Sequence, residues 1–191
     1  MNSSNKAAHA QSAWRVAKSL LTLRDQINEL HPDRNKDWDG TIGDEAHQSR
    51  NSDHNPWVDG NVVTAMDITH DPAHGVDGNE LSEALVKSRD KRIKYVIWNR
   101  HICNSHVDPW EWRPYTGSNP HDHHVHISVL PDQDLYDDTS PWGLTGSVME
   151  QFNISKALQT LLNLHGGNLK VDGIVGPLTK AEYNKQIHKE S

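Results

Sequence analysis

At 191 residues with 34% hydrophobic content, the chain can build one domain with a real core, or a medium domain followed by a small one. It carries 26 acidic against 19 basic side chains, a formal charge of −7, and no basic stripe, which argues against a nucleic-acid groove. No apolar run approaches the roughly 18 residues of a membrane span, and the single Cys103 excludes an internal disulfide.

Met1 to Ala10 is polar and lacks a signal-peptide pattern, so synthesis in a cytoplasm is expected. Residues 12–30 then read as an amphipathic helix. Ala13, Val16, Leu20, Leu23, Ile27 and Leu30 recur three or four apart, Ser12 is available as an N-cap, and His31-Pro32 forms a stop. Residues 32–61 are loop-like, rich in Asp, Asn, Gly and Pro. A run that long inside a compact domain points to function, and this one carries Asp44, His47, Arg50, Ser52, Asp53 and His54.

Residues 62–68 read as a buried strand. Asp67 within it is costly unless paired or metal-bound. A helix is predicted over 79–90 with Asn79 as its cap, and a second strand over 93–98, continuing through His101-Ile102. A Trp- and Pro-rich loop, 108–120, leads to the compositional anomaly of the chain. Four of the nine residues from His121 to Val129 are histidines, and the last five alternate polar with apolar, as a strand does. Residues two apart on a strand share a face, so His124 and His126 point the same way. The plain alternative is a solvated His-rich edge.

Residues 132–147 are acidic, with Pro, Ser and Gly, and read as a linker between a domain at 1–131 and a small helical unit at 148–191. In that unit Ile154, Leu158, Leu161 and Leu162 mark a helix ended by Gly166-Gly167. Pro177 suits the first position of a last helix containing Leu178 and Ala181.

The candidate metal ligands are His54, Asp67 and His126. Two neutral imidazoles and one carboxylate leave a zinc ion about one positive charge and one open position, the pattern of a catalytic rather than a closed structural site. Water at such a position becomes a nucleophile near neutral pH.

Ser52-Asp53-His54 followed by Ala65-Met66-Asp67-Ile68 resembles the S-x-H…A-x-D signature of the family grouping lysostaphin, D-Ala-D-Ala metallopeptidases and the hedgehog domain, and His124-Val125-His126 resembles its H-x-H signature. The resemblance covers about residues 12–130. It implies an α+β fold, a small antiparallel sheet with helices over one face, and a Zn2+ ion on His54, Asp67 and His126. It implies His124 as base or hydrogen-bond donor, with Asp122 the second choice, and Arg50 polarising a scissile carbonyl. Two departures stand out. Twelve residues separate His54 from Asp67 where the family has six, read as an insertion at 55–61. Position 123, where peptidases of the family place a carboxylate, is a histidine.

The segment Val171-Asp172-Gly173-Ile174-Val175-Gly176-Pro177-Leu178-Thr179 resembles the D-G-x-x-G-P-x-T segment of a small all-α peptidoglycan-binding module, though the chain is short at its C-terminal end. Joined to a metallopeptidase, it is similar to the organisation of bacteriophage endolysins. That likeness implies a monomer made in the host cytoplasm, released to the wall, and cutting L-alanyl-D-glutamate or a D-Ala-containing bond. Two other classes stay open: a non-catalytic wall-binding protein with a structural zinc, and a glycan-cleaving enzyme using a pair among Glu45, Glu80, Glu83 and Glu111. Trp98, Trp110, Trp112 and Tyr115 are candidates for a substrate groove, Arg100 and Arg113 for binding a substrate carboxylate. His47, His70 and His121 are candidates for a supporting shell.

Overall fold

The computed structural model of the chain describes residues 13–43, 51–59, 61–144, 146–171, 173 and 175–187. In chain order these form β1 (Arg15–Val16), α1 (Lys18–Leu30), β2 (Val62–Val63), β3 (Ala65–Thr69), a 3-10 turn (Pro72–His74), α2 (Gly78–Ser88), β4 (Ile93–Trp98), β5 (His101–Asn104), β6 (Trp112–Pro114), β7 (His124–Val129), α3 (Gln133–Tyr136), α4 (Gly146–Leu164) and α5 (Pro177–Ile187). The fold is α+β. It splits into two units, Met1–Trp142 and Gly143–Ser191. No helix among the described residues is long and apolar enough to cross a membrane.

The first unit is arranged about β7. Five antiparallel strands run in the order β3-β7-β4-β5-β6, so the His-rich strand is interior and all six of its residues are buried. That excludes the solvated edge. Register fixes two chemically distinct faces, because directly paired residues point the same way. Asp67 lies opposite His126 and Thr69 opposite His124, while Ile97 and Tyr95 of β4 lie opposite His126 and Ser128. Met66, Ile68, Val96, Val125 and Ile127 make the alternate, aliphatic face. Helix α2 packs on β4 and β7, and α1 lies against β3, with Leu20, Leu23, Leu81 and Leu85 buried.

Several boundaries differ from the spacing-based reading. Helix α1 starts at Lys18 because Arg15–Val16 is extended and pairs in parallel with Val62–Val63; Ala17 holds the cap position, and Ser12 lies outside the described residues. The strand expected over 62–68 breaks at Thr64, whose N–H donates to the Asp53 carbonyl. Helix α2 is capped by the Asp77 carboxylate, which accepts from Asn79 N–H. The strand expected to run on through His101 instead reverses at Asn99-Arg100. Both residues have positive φ (43° and 65°), and β4 and β5 form a hairpin. The 108–120 loop contributes β6 to the sheet edge.

The stretch from 132 to 142, expected to be linker, is packed into the first unit. The Arg15 guanidinium makes a bidentate pair with Asp137, 2.7 Å on each arm. The buried Arg92 donates to the carbonyls of Asp138, Ser140 and Pro141 while holding Asp90. Trp142 is buried, donates through its indole to the Ser19 carbonyl at 2.7 Å, and lies 4.1 Å below the Arg92 guanidinium. Trp142→Ala is therefore expected to cost about 3–5 kcal/mol of stability, read as a lower denaturant midpoint for the first unit's transition.

In the second unit, amide side chains brace the two helices. Gln159 donates to Thr179 Oγ1 at 3.3 Å and accepts from Gly173 N–H at 2.8 Å. Asn163 makes two bonds to the backbone of Leu169 (2.8 and 2.7 Å), and Gln186 donates to the Leu162 carbonyl. Pro177 opens α5 as its first residue, where its missing N–H costs nothing. Asp172 and Ile174 of the module-like segment lie outside the described residues.

Candidate metal centre

The polar face of the sheet meets the described loop residues 40–43 and 53–54. Gly40 bridges Asp67 through both backbone bonds (3.2 and 2.8 Å), and Gly43 N–H donates to the His54 carbonyl. Asp53 is held by Lys94 Nζ at 2.8 and 2.7 Å, which pins the loop beside His54 to β4. The residues between His54 and Asp67 fold as a turn in which Val62 N–H donates to the Val58 carbonyl and Asn61 has φ 60°. This turn lets a loop histidine and a strand aspartate share one spot.

His54 Nε2 lies 3.3 Å from Asp67 Oδ2 and 3.1 Å from His126 Nδ1, and His126 Nδ1 lies 3.0 Å from Asp67 Oδ1. His54 Nδ1 faces the Thr41 carbonyl at 2.9 Å. A carbonyl only accepts, so Nδ1 carries the hydrogen and neutral His54 turns a lone pair of Nε2 toward the carboxylate. Ser128 Oγ lies 3.0 Å from His126 Nε2, leaving Nδ1 as the atom facing inward. Lone pairs and a carboxylate converging within about a hydrogen-bond length repel one another unless a proton or a cation sits among them. The donor set fits a divalent cation: these atoms lie within 4.8 Å of one another, and each imidazole is oriented through its outer nitrogen. Gly40 keeps the approach open, since a Cβ there would stand 3.2 Å from Asp67 Oδ2.

The electrostatics agree. Burial works to raise the pKa of Asp67, but hydrogen bonds from His126 and His54 outweigh it and hold the carboxyl well below the usual range. Burial likewise works against a charge on His54, yet Asp67 pulls its pKa upward. The cluster thus favours a positive charge at its centre.

Two further imidazoles border it. His124 Nε2 is 3.7 Å from Asp67 Oδ2; its side chain is only 9% exposed, and neither ring nitrogen has a hydrogen-bond partner. Burial, the largest influence, and the neighbouring His126 and His54 lower its pKa against the pull of Asp67, which favours the uncharged ring. His121 donates from Nδ1 to the Asn119 carbonyl at 2.9 Å and stands edge-on to His124 and His126, with ring centroids 5.1 and 5.3 Å away. Burial and His126 push its pKa down to about 4. With Asp67 and His124 it forms a second set of donors within the same limit. His121 has φ 52°, an uncommon conformation for a residue with a side chain, and this is what turns its ring toward the cluster.

The other predicted residues scatter. Asp122 is 48% exposed and lies 3.7 Å from His123. Arg50, Asp44, Glu45 and His47 lie outside the described residues. His70 accepts from Gly78 N–H, at the start of α2. Trp98 is buried and donates to Asn79; Trp112 donates to Glu83. Arg113 pairs with Asp108, and Tyr115 stands edge-on to His121. An aromatic group at the site that spacing did not single out is Trp38, whose ring lies against His123.

Comparison with protein-family models, curated proteins and solved structures finds no match for the chain.

Proposed function

We propose that the chain is a zinc-dependent peptidase of bacterial peptidoglycan, cutting an amide bond of the stem peptide or its cross-link. The observation that carries this reading is His124, a buried imidazole whose ring nitrogens have no hydrogen-bond partner, beside a three-donor set. A site kept only for structure has no use for such a group, whose burial costs about 1–3 kcal/mol. His54, Asp67 and His126 would hold the metal. When bound there, zinc supplies a Lewis acid that activates water and polarises the scissile carbonyl.

The chain's own groups do the rest. Asp67 supplies the negative charge that retains the cation, and Thr41 and Ser128 orient the two imidazoles. His124 Nε2 takes a proton from the attacking water and returns it to the departing amine, with Asp122 the second candidate for that role. Arg50 is assigned to the carbonyl oxygen of the substrate, since a guanidinium stays charged and donates several hydrogen bonds. The C-terminal unit keeps the catalytic unit on the wall, and the organisation fits a phage-encoded lysis enzyme.

Digestion of purified sacculi tests the reading. Release of new free amino groups is expected, abolished by chelation and restored by added zinc. Reducing ends without amines would mark a glycan-cleaving enzyme. Binding with no release of either would mark a wall-binding protein with a structural metal.

A further inference from the structure

Trp38 is 53% exposed although its ring is fixed on both the backbone and the ring side. It lies against His123 with centroids 4.9 Å apart and planes 16° apart, and against His124 at 6.3 Å and 20°. The backbone N–H of Trp38 donates to Thr69 Oγ1 at 3.0 Å. Thr69, the last residue of the strand that carries Asp67, donates in turn to Asp39, which the buried Arg34 grips. The indole is thus a rigid, wet, apolar plate, indexed to the candidate metal ligands through β3. A preorganised exposed aromatic beside a polar cluster is a ligand surface rather than core.

The surroundings decide the ligand's chemistry. Exposed Asp122 lies 3.7 Å from His123, the ring stacked against the plate, and exposed Asp37, whose carboxylate accepts from Asn35 Nδ2, precedes Trp38 in the chain. Carboxylates there repel an anionic group and accept hydrogen bonds from hydroxyl or amide N–H donors. A flat floor with acceptors near it matches a neutral sugar ring: its C–H face packs on the indole and its rim hydroxyls donate outward.

We propose that the Trp38–His123 stack is a subsite for a sugar of the glycan strand to which the stem peptide is attached. The proposal rests on the peptidase reading and deepens it. One extended residue spans at most about 3.3–3.6 Å, and Trp38 lies 6.3 Å from His124 between ring centroids. His123 takes one indole face, so the sugar packs on the other, about 4 Å further out, and the bond at His124 lies within about three residues of the glycan. That selects the first amide bonds of the stem peptide, L-alanyl-D-glutamate among them, over a cross-link far from the sugar.

The test compares two substrates, a stem peptide carrying N-acetylmuramic acid and the same peptide without the sugar, using the zinc-loaded full chain. Trp38→Ala is expected to raise KM for the sugar-bearing substrate about tenfold with kcat nearly unchanged, and to leave the sugar-free peptide unaffected. Trp38→Tyr should restore most of the loss. Direct titration with N-acetylmuramoyl-L-alanine amide gives a readout free of turnover: Trp38→Ala should weaken binding by a similar factor. Equal affinity of the two proteins, or equal loss on both substrates, overturns the subsite. Trp38-dependent sugar binding by a wild type that cuts neither substrate would sink the peptidase reading and leave the subsite standing.

Discussion

Asp67→Ala and His126→Ala are each expected to strip the chain of bound metal, from about one ion per chain to a trace after gel filtration. Each of these residues supplies one of the three donors of the His54–Asp67–His126 set, and Asp67 supplies the negative charge among them. Losing a supporting partner of a metal ligand costs roughly 10–100-fold in affinity; losing a ligand costs more, because Asp67→Ala leaves two imidazoles to hold a dication without charge compensation and His126→Ala leaves one imidazole and one carboxylate. Asp67→Asn separates the two contributions. It keeps the shape and one carbonyl oxygen, so whatever it loses relative to wild type is owed to the charge. His101→Ala, an exposed imidazole on the β5 hairpin, is the matched control and should retain its metal. Metal content per chain, measured by mass spectrometry of the purified proteins, decides the matter. A fully loaded His126→Ala would place the ion elsewhere.

The variants carry a second signature. In the metal-free chain the same geometry holds the Asp67 carboxyl well below its usual range and pulls the His54 pKa upward, so the cluster favours a positive charge between them. Removing Asp67 leaves His54 and His126 facing each other at 3.1 Å with nothing to reconcile their lone pairs. The loop carrying His54 is then expected to loosen along with the loss of metal.

The centre was legible in the sequence where the strand pattern carried it. Alternation in 124–129 put His124 and His126 on one face, and an acid inside the run 62–68 marked Asp67 as a residue needing a partner. Both inferences use the period of two, which a sheet enforces whatever its neighbours. The complete burial of β7 was not legible. Its polar face meets the described loop residues 40–43 and 53–54, whose placement comes from non-periodic bonds such as Gly40 to Asp67 and Asp53 to Lys94. Trp38 was missed for the same reason, since an aromatic in a loop has no pattern to declare which side it faces. The 132–142 stretch misled because its Asp, Ser and Pro content is that of a linker. What anchors it is Arg15, Arg92 and the backbone around Ser19, all distant in sequence. Asn99 and Arg100 adopt left-handed conformations without glycine, so the hairpin left no turn signal.

His124→Ala should do the opposite of the ligand variants: keep the metal and lose the activity. Neither of its ring nitrogens is hydrogen-bonded, so its removal breaks no bond in the folded chain. It also relieves the desolvation of an unsatisfied imidazole, about 1–3 kcal/mol, against the cost of the small cavity left behind. Stability is expected to be nearly unchanged, whereas a histidine that holds the fold together would cost several kcal/mol when truncated. Turnover of sacculi, by contrast, should fall by roughly 10²–10⁴-fold, the span supplied by a positioned proton-transfer group. Asp122→Asn provides the discriminating comparison. Asp122 is half exposed and its neighbour is His123 rather than the ligand set, so its loss should change the rate by only a few-fold. Should the rates reverse, with Asp122→Asn inactive and His124→Ala active, the proton would pass through the carboxylate, and the buried imidazole would be left to bind the substrate. An unchanged rate in both variants, with metal in place, would mean that the ion acts without either group, and the case for His124 as the reason to call this site catalytic would be gone.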